Sequence, residues 1–296
     1  MNRREFLHTA LGGAGALAVT LPSAFAAASL AGEVGITTGS FVKHLTVEPR
    51  EGKLRLLDLP KLMREELDLR VIDLMTATLA SLEPDYLDQL RDAAGRAGCV
   101  LTNLKMNQPG LDMASPDAAT RRRALDEYKR TMDAAARLGV RWVRPLPGTK
   151  RPGLELYAAA YRELIDYGAS RGITLLIENF GWMRDDPKAI PAVIEKVGAG
   201  LRAQPDTGNW TDAARYDGLS KAFPLAASCD FKALALDPAG GHKAYDLKRC
   251  FQIGWDLGFR GPWCLEHAHT DLKQLIREMA LLRDSLREWM RAAQTR

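Results

Sequence analysis

A closed barrel of eight parallel strands, each followed by a helix, is the fold this sequence predicts. Three observations carry that reading. Short apolar runs alternate with longer helical patterns along residues 33–296. No Pro/Gly/Ser-rich linker or low-complexity segment interrupts them, so one domain is expected, spanning 27–296. Four acidic residues sit at or near the ends of apolar runs in the second half: Glu178 in LLIE, Asp206 in RAQPDTGNW, Asp230 in CDFKALALD and Glu266 in PWCLEH. They recur at intervals of roughly 24 to 36 residues, close to the roughly 31 of one strand–helix unit in a barrel of about 250.

The strand-like runs, in order, are Glu33–Thr38, Leu69–Leu74, Val100–Leu104, Arg141–Arg144, Thr174–Ile177, Leu201–Ala203, Phe231–Leu236 and Trp263–Leu265. Helical patterns with recognisable ends lie between them. Ser115-Pro116-Asp117 caps one helix and Leu138-Gly139 closes it. The last helix carries Leu272, Leu275, Ile276, Met279, Leu282, Leu286, Trp289 and Met290, spaced by threes and fours. An open doubly wound sheet would place a Gly-rich phosphate loop after its first strand, and Ile36-Thr37-Thr38-Gly39-Ser40 is not one.

In a closed parallel barrel the C-terminal strand ends share one face. Four carboxylates brought there repel one another unless a cation stands among them, which reads as a divalent metal site of an enzyme.

The front of the chain reads as a targeting segment. Arg3-Arg4 precedes Phe6-Leu7, no charged residue follows as far as Gly32, and Ala24-Phe25-Ala26 fits a small-x-small cleavage site. A twin-arginine signal over residues 1–26, cleaved on export to the periplasm, is the expectation. The stretch is rich in Gly and Ala and holds Pro22, so stable membrane insertion is not expected after cleavage. Loss of Arg3, Arg4 and Glu5 takes one from the formal charge of +4, too mild a balance to argue for nucleic acid. Cys99, Cys229, Cys250 and Cys264 form no Cys-x-x-Cys pattern. Cys264 shares the face of Glu266 while Cys229 faces away from that of Asp230, so buried free thiols are expected. Association into a homo-oligomer stays open.

The segments IENFGW, PDTGNW, RYDGLSKAFPLA, DFKA and GFRGPWCLEH resemble the sugar phosphate isomerase/epimerase family, within the xylose isomerase-like TIM barrel superfamily. The resemblance spans roughly residues 33–290. That family's fifth-strand Glu-Asn-His is here Glu178-Asn179-Phe180, and its Pro-Asp-x-Gly-Asn is Pro205-Asp206-Thr207-Gly208-Asn209. Its seventh-strand His-x-Lys is Asp230-Phe231-Lys232, and its eighth strand ends in Glu266. The resemblance implies metal ligands at Glu178, Asp206, Asp230 and Glu266, with Asp230 in place of a histidine. It also implies that Glu178 and Glu266 serve as acid and base.

Carboxylate for imidazole shifts preference from zinc toward Mn²⁺ or Mg²⁺, with Ca²⁺ or Zn²⁺ as further options. Lys232, two residues from Asp230, shares its strand face and offsets part of the charge. Lys232, Asn209, Trp182 and Arg144 are candidates for holding a carbohydrate substrate, as is Lys105 at the end of another strand-like run. The reading is a metal-dependent sugar isomerase, epimerase or related lyase that removes a proton next to a carbonyl through an enediolate. The expected substrate is a free sugar, keto-sugar or glycoside. A non-catalytic carbohydrate-binding barrel is the alternative, because two of the family's histidines are missing. A histidine-rich trinuclear zinc nuclease fits poorly with a chain holding His44, His242, His267 and His269 beyond the leader.

Overall fold

The computed structural model describes residues 30–237 and 240–295; the expected leader lies outside them. Eight strands, β1 (Val34–Thr37), β2 (Val71–Met75), β3 (Val100–Met106), β4 (Trp142–Pro145), β5 (Thr174–Ile177), β6 (Leu201–Ala203), β7 (Cys229–Lys232) and β8 (Trp263–Glu266), pair in the order β6-β5-β4-β3-β2-β1-β8-β7. Every ladder is parallel. The sheet curls until its edges meet at parallel bridges Ala203↔Ala226 and Asp206↔Asp230, closing the barrel.

Eight helices alternate with the strands: α1 (Leu59–Leu67), α2 (Pro84–Arg96), α3 (Ala118–Leu138), α4 (Leu154–Ala169), α5 (Ala189–Val197), α6 (Arg215–Ala222), α7 (Leu247–Asp256) and α8 (Leu272–Gln294). α3 starts where Asp117 accepts from the Thr120 N–H and ends at Gly139 with φ +75°, as the capping pattern predicts. α8 buries Leu275, Met279, Leu282, Leu286 and Met290, the stripe read from the sequence. Each such side chain contributes roughly 1.5–3 kcal/mol of burial.

Strand alternation sorts the residues. Outward-facing Phe231 and Trp263 join Phe223, Phe251, Phe259 and Trp289 in one aromatic cluster under the helices. That packing fixes the strands whose inward residues are Asp230, Lys232 and Glu266. At the N-terminal end the interior is apolar, with Leu30, Val71 and Cys264 packed together and Trp142 against them. Gly35 belongs there because a Cβ would lie 2.7 Å from the Val71 side chain. Toward the C-terminal end the interior turns polar, with Thr37, Asp73, Asn103, Lys105, Arg144, Glu178, Gln204, Asp206 and Asp230 buried.

One strand differs from expectation. The apolar pattern predicts the seventh at Phe231–Leu236, yet β7 pairs with β8 from Cys229↔Trp263 to Lys232↔Glu266. Leu234 beyond it is 50% exposed, and Leu236 turns back to bridge His242. All four cysteines are buried and free.

Candidate active site

The site is built at the barrel's closing seam. β6 and β7 meet there through the Asp206↔Asp230 bridge, which sets the two carboxylates side by side. Two asparagines cross-brace the neighbouring strand ends. Asn179, after β5, accepts from the Asp206 N–H at 2.7 Å and donates to the Asp206 carbonyl at 2.9 Å. Asn209, after β6, donates to Glu178 Oε1 at 2.7 Å. Thr207 stitches the turn to β7, accepting from the Lys232 N–H at 2.9 Å.

Oxygens of Glu178, Asp206 and Asp230 lie within 4.8 Å of one another, and all three residues are buried. Each carboxylate anchors one oxygen. Asp206 Oδ1 takes the N–H groups of Gly208 and Asn209 at 2.7 and 3.0 Å. Asp230 Oδ1 takes Lys105 Nζ at 2.6 Å and Gln204 Nε2 at 3.2 Å. The other oxygens are left over: Asp230 Oδ2 and Glu178 Oε2 are buried and accept no hydrogen bond among the described residues. Glu178 Oε2 does lie 2.8 Å from Arg144 Nε as an ion pair.

Glu266 is not among the three that converge. Its Oε1 is held by Lys232 at 2.5 Å, and its Oε2 lies 3.8 Å from Lys105. Lys232 also reaches Asp206 Oδ2 at 3.4 Å and Asn209 Oδ1 at 3.2 Å. Lys105, Lys232 and Arg144 thus stand among the four carboxylates.

Burial raises the Asp206 carboxyl to about 7, with Glu266 and Glu178 adding to the rise and Lys232 opposing it. Asp230 rises well above the usual range, again first through burial and then through its acidic neighbours, against the pull of Lys105. Burial alone would discharge Lys105, but Asp230 and Glu266 overrule it and the amine keeps its proton. Lys232 is likewise raised, burial being outweighed by Asp206 and Glu266. For Glu266 burial pushes up, but Lys232 and Lys105 prevail and hold it below its ordinary value.

The other expected residues fall as follows. Arg144 is fully buried, clamped between Glu178 and Asn107 Oδ1, to which it donates at 2.6 Å. Trp182 packs edge-on against Tyr157 with Arg151 stacked over its ring at 4.8 Å. Sequence reasoning passed over Asp73, Asn103 and Gln204, which form a polar layer around Asp230. Gln204 Nε2 donates to Asp73 Oδ2 at 3.1 Å as well as to Asp230, and Asn103 donates to Gln204 Oε1 at 3.0 Å. The available signal was the alternation Asn103, Leu104, Lys105, Met106, which marks a polar inward face on β3.

The profile of the xylose isomerase-like TIM barrels matches residues 65–293. The chain belongs to that family. Solved structures similar to it include a D-psicose 3-epimerase from Clostridium cellulolyticum H10 with D-tagatose. The two are 15% identical with a TM-score of 0.68, over 86% of this chain and 98% of that one. Another is a xylose isomerase-like TIM barrel protein from Mycobacterium smegmatis in complex with magnesium, at 18% identity and a TM-score of 0.64, over 88% and 97% of the two chains. A D-psicose 3-epimerase in the presence of D-fructose matches at 14% identity and a TM-score of 0.65, over 86% and 97%. At these identities the likeness is one of fold. Among curated proteins, no sequence is significantly similar to the chain.

The residues present fit a divalent ion. The donors are all carboxylate oxygens, the set preferred by hard cations such as Mg²⁺, Mn²⁺ and Ca²⁺. Buried oxygens of Asp230 and Glu178 accept no hydrogen bond among the described residues, and burial pushes the carboxyls of Asp206 and Asp230 up against the pull of Lys232 and Lys105.

Proposed function

We propose that this protein is a divalent-cation-dependent carbohydrate isomerase, epimerase or related lyase that abstracts a proton next to a carbonyl. The observation that carries the reading is the convergence of Glu178, Asp206 and Asp230, two of them with an oxygen that accepts no hydrogen bond among the described residues, beside a fourth carboxylate held below its ordinary value. Glu178, Asp206 and Asp230 would hold the cation. When bound, it supplies Lewis-acid polarisation of a substrate carbonyl and stabilises negative charge beside it.

The chain's own residues do the rest. Glu266 is kept charged by Lys232 and Lys105 and its side chain is 26% exposed, so it can reach a substrate C–H as base. Glu178, steered by Asn209 and Arg144, is the second proton carrier. Lys232 and Asn209, which touch each other and the carboxylates, would meet substrate hydroxyls. Delivery of the proton to the opposite face gives an epimer, and delivery to the next carbon gives an isomer.

The proposal includes export by the twin-arginine signal to the periplasm, and therefore a free sugar, keto-sugar or glycoside, since phosphorylated sugars are mostly intracellular. The competing reading, a carbohydrate-binding barrel without catalysis, draws on the three cations that already offset the carboxylates.

Proton exchange decides between them. A panel of ketoses and aldoses is incubated in D₂O with Mn²⁺ or Mg²⁺ and followed by NMR. The expectation is exchange of the α-proton by the wild type, with net turnover falling by about 10²–10⁴-fold in folded Glu178→Gln and Glu266→Gln. With one base per face, each variant retains exchange in a different epimer. Absence of exchange throughout the panel favours the binding protein. Turnover confined to phosphorylated sugars removes the free-sugar assignment.

A further inference from the structure

We propose that Lys232 competes with the divalent cation for the site, bridging Glu266 and Asp206 and withdrawing from Asp206 when an ion binds. The inference rests on the cation-dependent reading above. It concerns what the lysine does to the ion, not the reaction.

Three observations support it. The Lys232 ammonium spans Glu266 Oε1 at 2.5 Å and Asp206 Oδ2 at 3.4 Å. The second of these is the oxygen that Asp206 does not spend on the Gly208 and Asn209 N–H groups, so it is the one an ion would use. Lys232 is therefore in direct competition for a ligand atom.

The second observation is a way out. The Lys232 side chain is 24% exposed, whereas Lys105 is 2% exposed and sealed against Asp230. Of the two lysines, Lys232 alone can swing toward the mouth without breaking the barrel interior. The third is how the stem is mounted. It lies over Gly208, where an added Cβ would come within 2.6 Å of Lys232 Cδ. A side chain at 208 would push the stem aside, so glycine keeps the amine over the carboxylates. The Lys232 backbone stays anchored by Thr207, and its carbonyl accepts from the Tyr245 hydroxyl, so only the side chain needs to move.

An ammonium and a divalent ion cannot share Asp206 Oδ2 at contact distance without strong repulsion. Ion binding then carries the cost of moving Lys232, and removing the charge should tighten it. The test is titration calorimetry of Mn²⁺ into the wild type, Lys232→Met and the control Lys221→Met. Methionine preserves the unbranched apolar stem. Lys221 pairs with Asp217 on α6, away from the site.

The expected result is binding about tenfold or more tighter in Lys232→Met, with the control unchanged. Equal or weaker binding in Lys232→Met overturns the inference while leaving the cation-dependent reading intact. If neither wild type nor Lys232→Met binds Mn²⁺, both fall. Should Lys232→Met fail to fold by circular dichroism, reductive methylation of the wild type decides the matter. Mass spectrometry should find Lys232 labelled faster with Mn²⁺ than with chelator, and slower or equal labelling overturns the proposal.

Discussion

Replacing Lys105 by methionine is the sharpest probe of how the interior is held. Its side chain is 2% exposed, and that of its partner Asp230 is 1% exposed. The ammonium donates to Asp230 Oδ1 at 2.6 Å and Thr37 Oγ1 at 3.1 Å, and lies 3.8 Å from Glu266. Methionine keeps the stem but leaves a buried carboxylate without its cation. Breaking a buried pair in this way typically costs about 3–5 kcal/mol. In a domain of this size each kcal/mol moves the melting temperature by roughly 2–4 °C, so a fall of roughly 6–20 °C is expected.

The pH dependence identifies the cause. Asp230 already sits well above its ordinary 3.8, and loss of Lys105, which opposes that rise, lifts it further. A carboxyl raised in the folded state binds its proton more tightly there than in the unfolded chain. Its stabilising effect is complete near and below 3.8 and is lost as pH rises through the folded value. Lys105 itself is raised from 10.5, so in the wild type its contribution is intact across the neutral range. The deficit of Lys105→Met should therefore widen from pH 5 to pH 8. Thermal denaturation followed by circular dichroism in chelator measures it. The double variant Lys105→Met/Asp230→Asn should recover part of the loss. A single variant melting within about 2 °C of the wild type, or a deficit that narrows as pH rises, refutes the reasoning.

Two further outcomes are expected. Because burial raises Asp206 from 3.8 to about 7, an incoming ion must displace a proton, so Mn²⁺ affinity should climb as pH rises from 5 through about 7. A flat profile by calorimetry contradicts the assignment of Asp206 as a ligand. Asp230→His alone would set an imidazole against the Lys105 ammonium and should weaken Mn²⁺ binding without gaining Zn²⁺, whereas Asp230→His/Lys105→Met should bind Zn²⁺ or Co²⁺. Tight Zn²⁺ binding by the single variant would show that Lys105 does not govern this position.

What the sequence disclosed follows from how local each signal is. β5 was read at Thr174–Ile177 because an apolar run ends abruptly at Glu178, and Asp206 was legible because Pro-Asp-x-Gly-Asn is a compact turn. The end of β7 was misread because Leu234 and Leu236 prolong the apolar pattern past the last residue that pairs with β8. Two of the three cations were harder still. Lys232 was legible because it lies two residues from Asp230 on one strand face, whereas the partners of Lys105 and Arg144 lie on β7 and just beyond β5, far along the chain. The polar layer of Asp73, Asn103 and Gln204 draws on β2, β3 and the end of β6, so no single segment announces it.

The exchange of a family histidine for Asp230 is best understood together with Lys105. An aspartate in place of a neutral imidazole adds one negative charge to a site already crowded with carboxylates, and its desolvation is costly. Lys105 supplies one positive charge from the adjoining interior and holds Asp230 through a single oxygen, Oδ1, leaving Oδ2 unpartnered in the site. The pair thus restores the charge balance that the histidine would have given and still presents one donor atom. That donor is now a hard oxygen instead of a nitrogen. Gln204 then fixes the pair's orientation, donating to Asp230 while its own carbonyl oxygen accepts from Asn103 beneath the site. If Asp230 is a ligand, as proposed, the departure from the pattern the sequence resembles would keep a ligand position and change its preferred ion. Asp230 and Lys105 should therefore be exchanged as one unit in any attempt to restore the histidine.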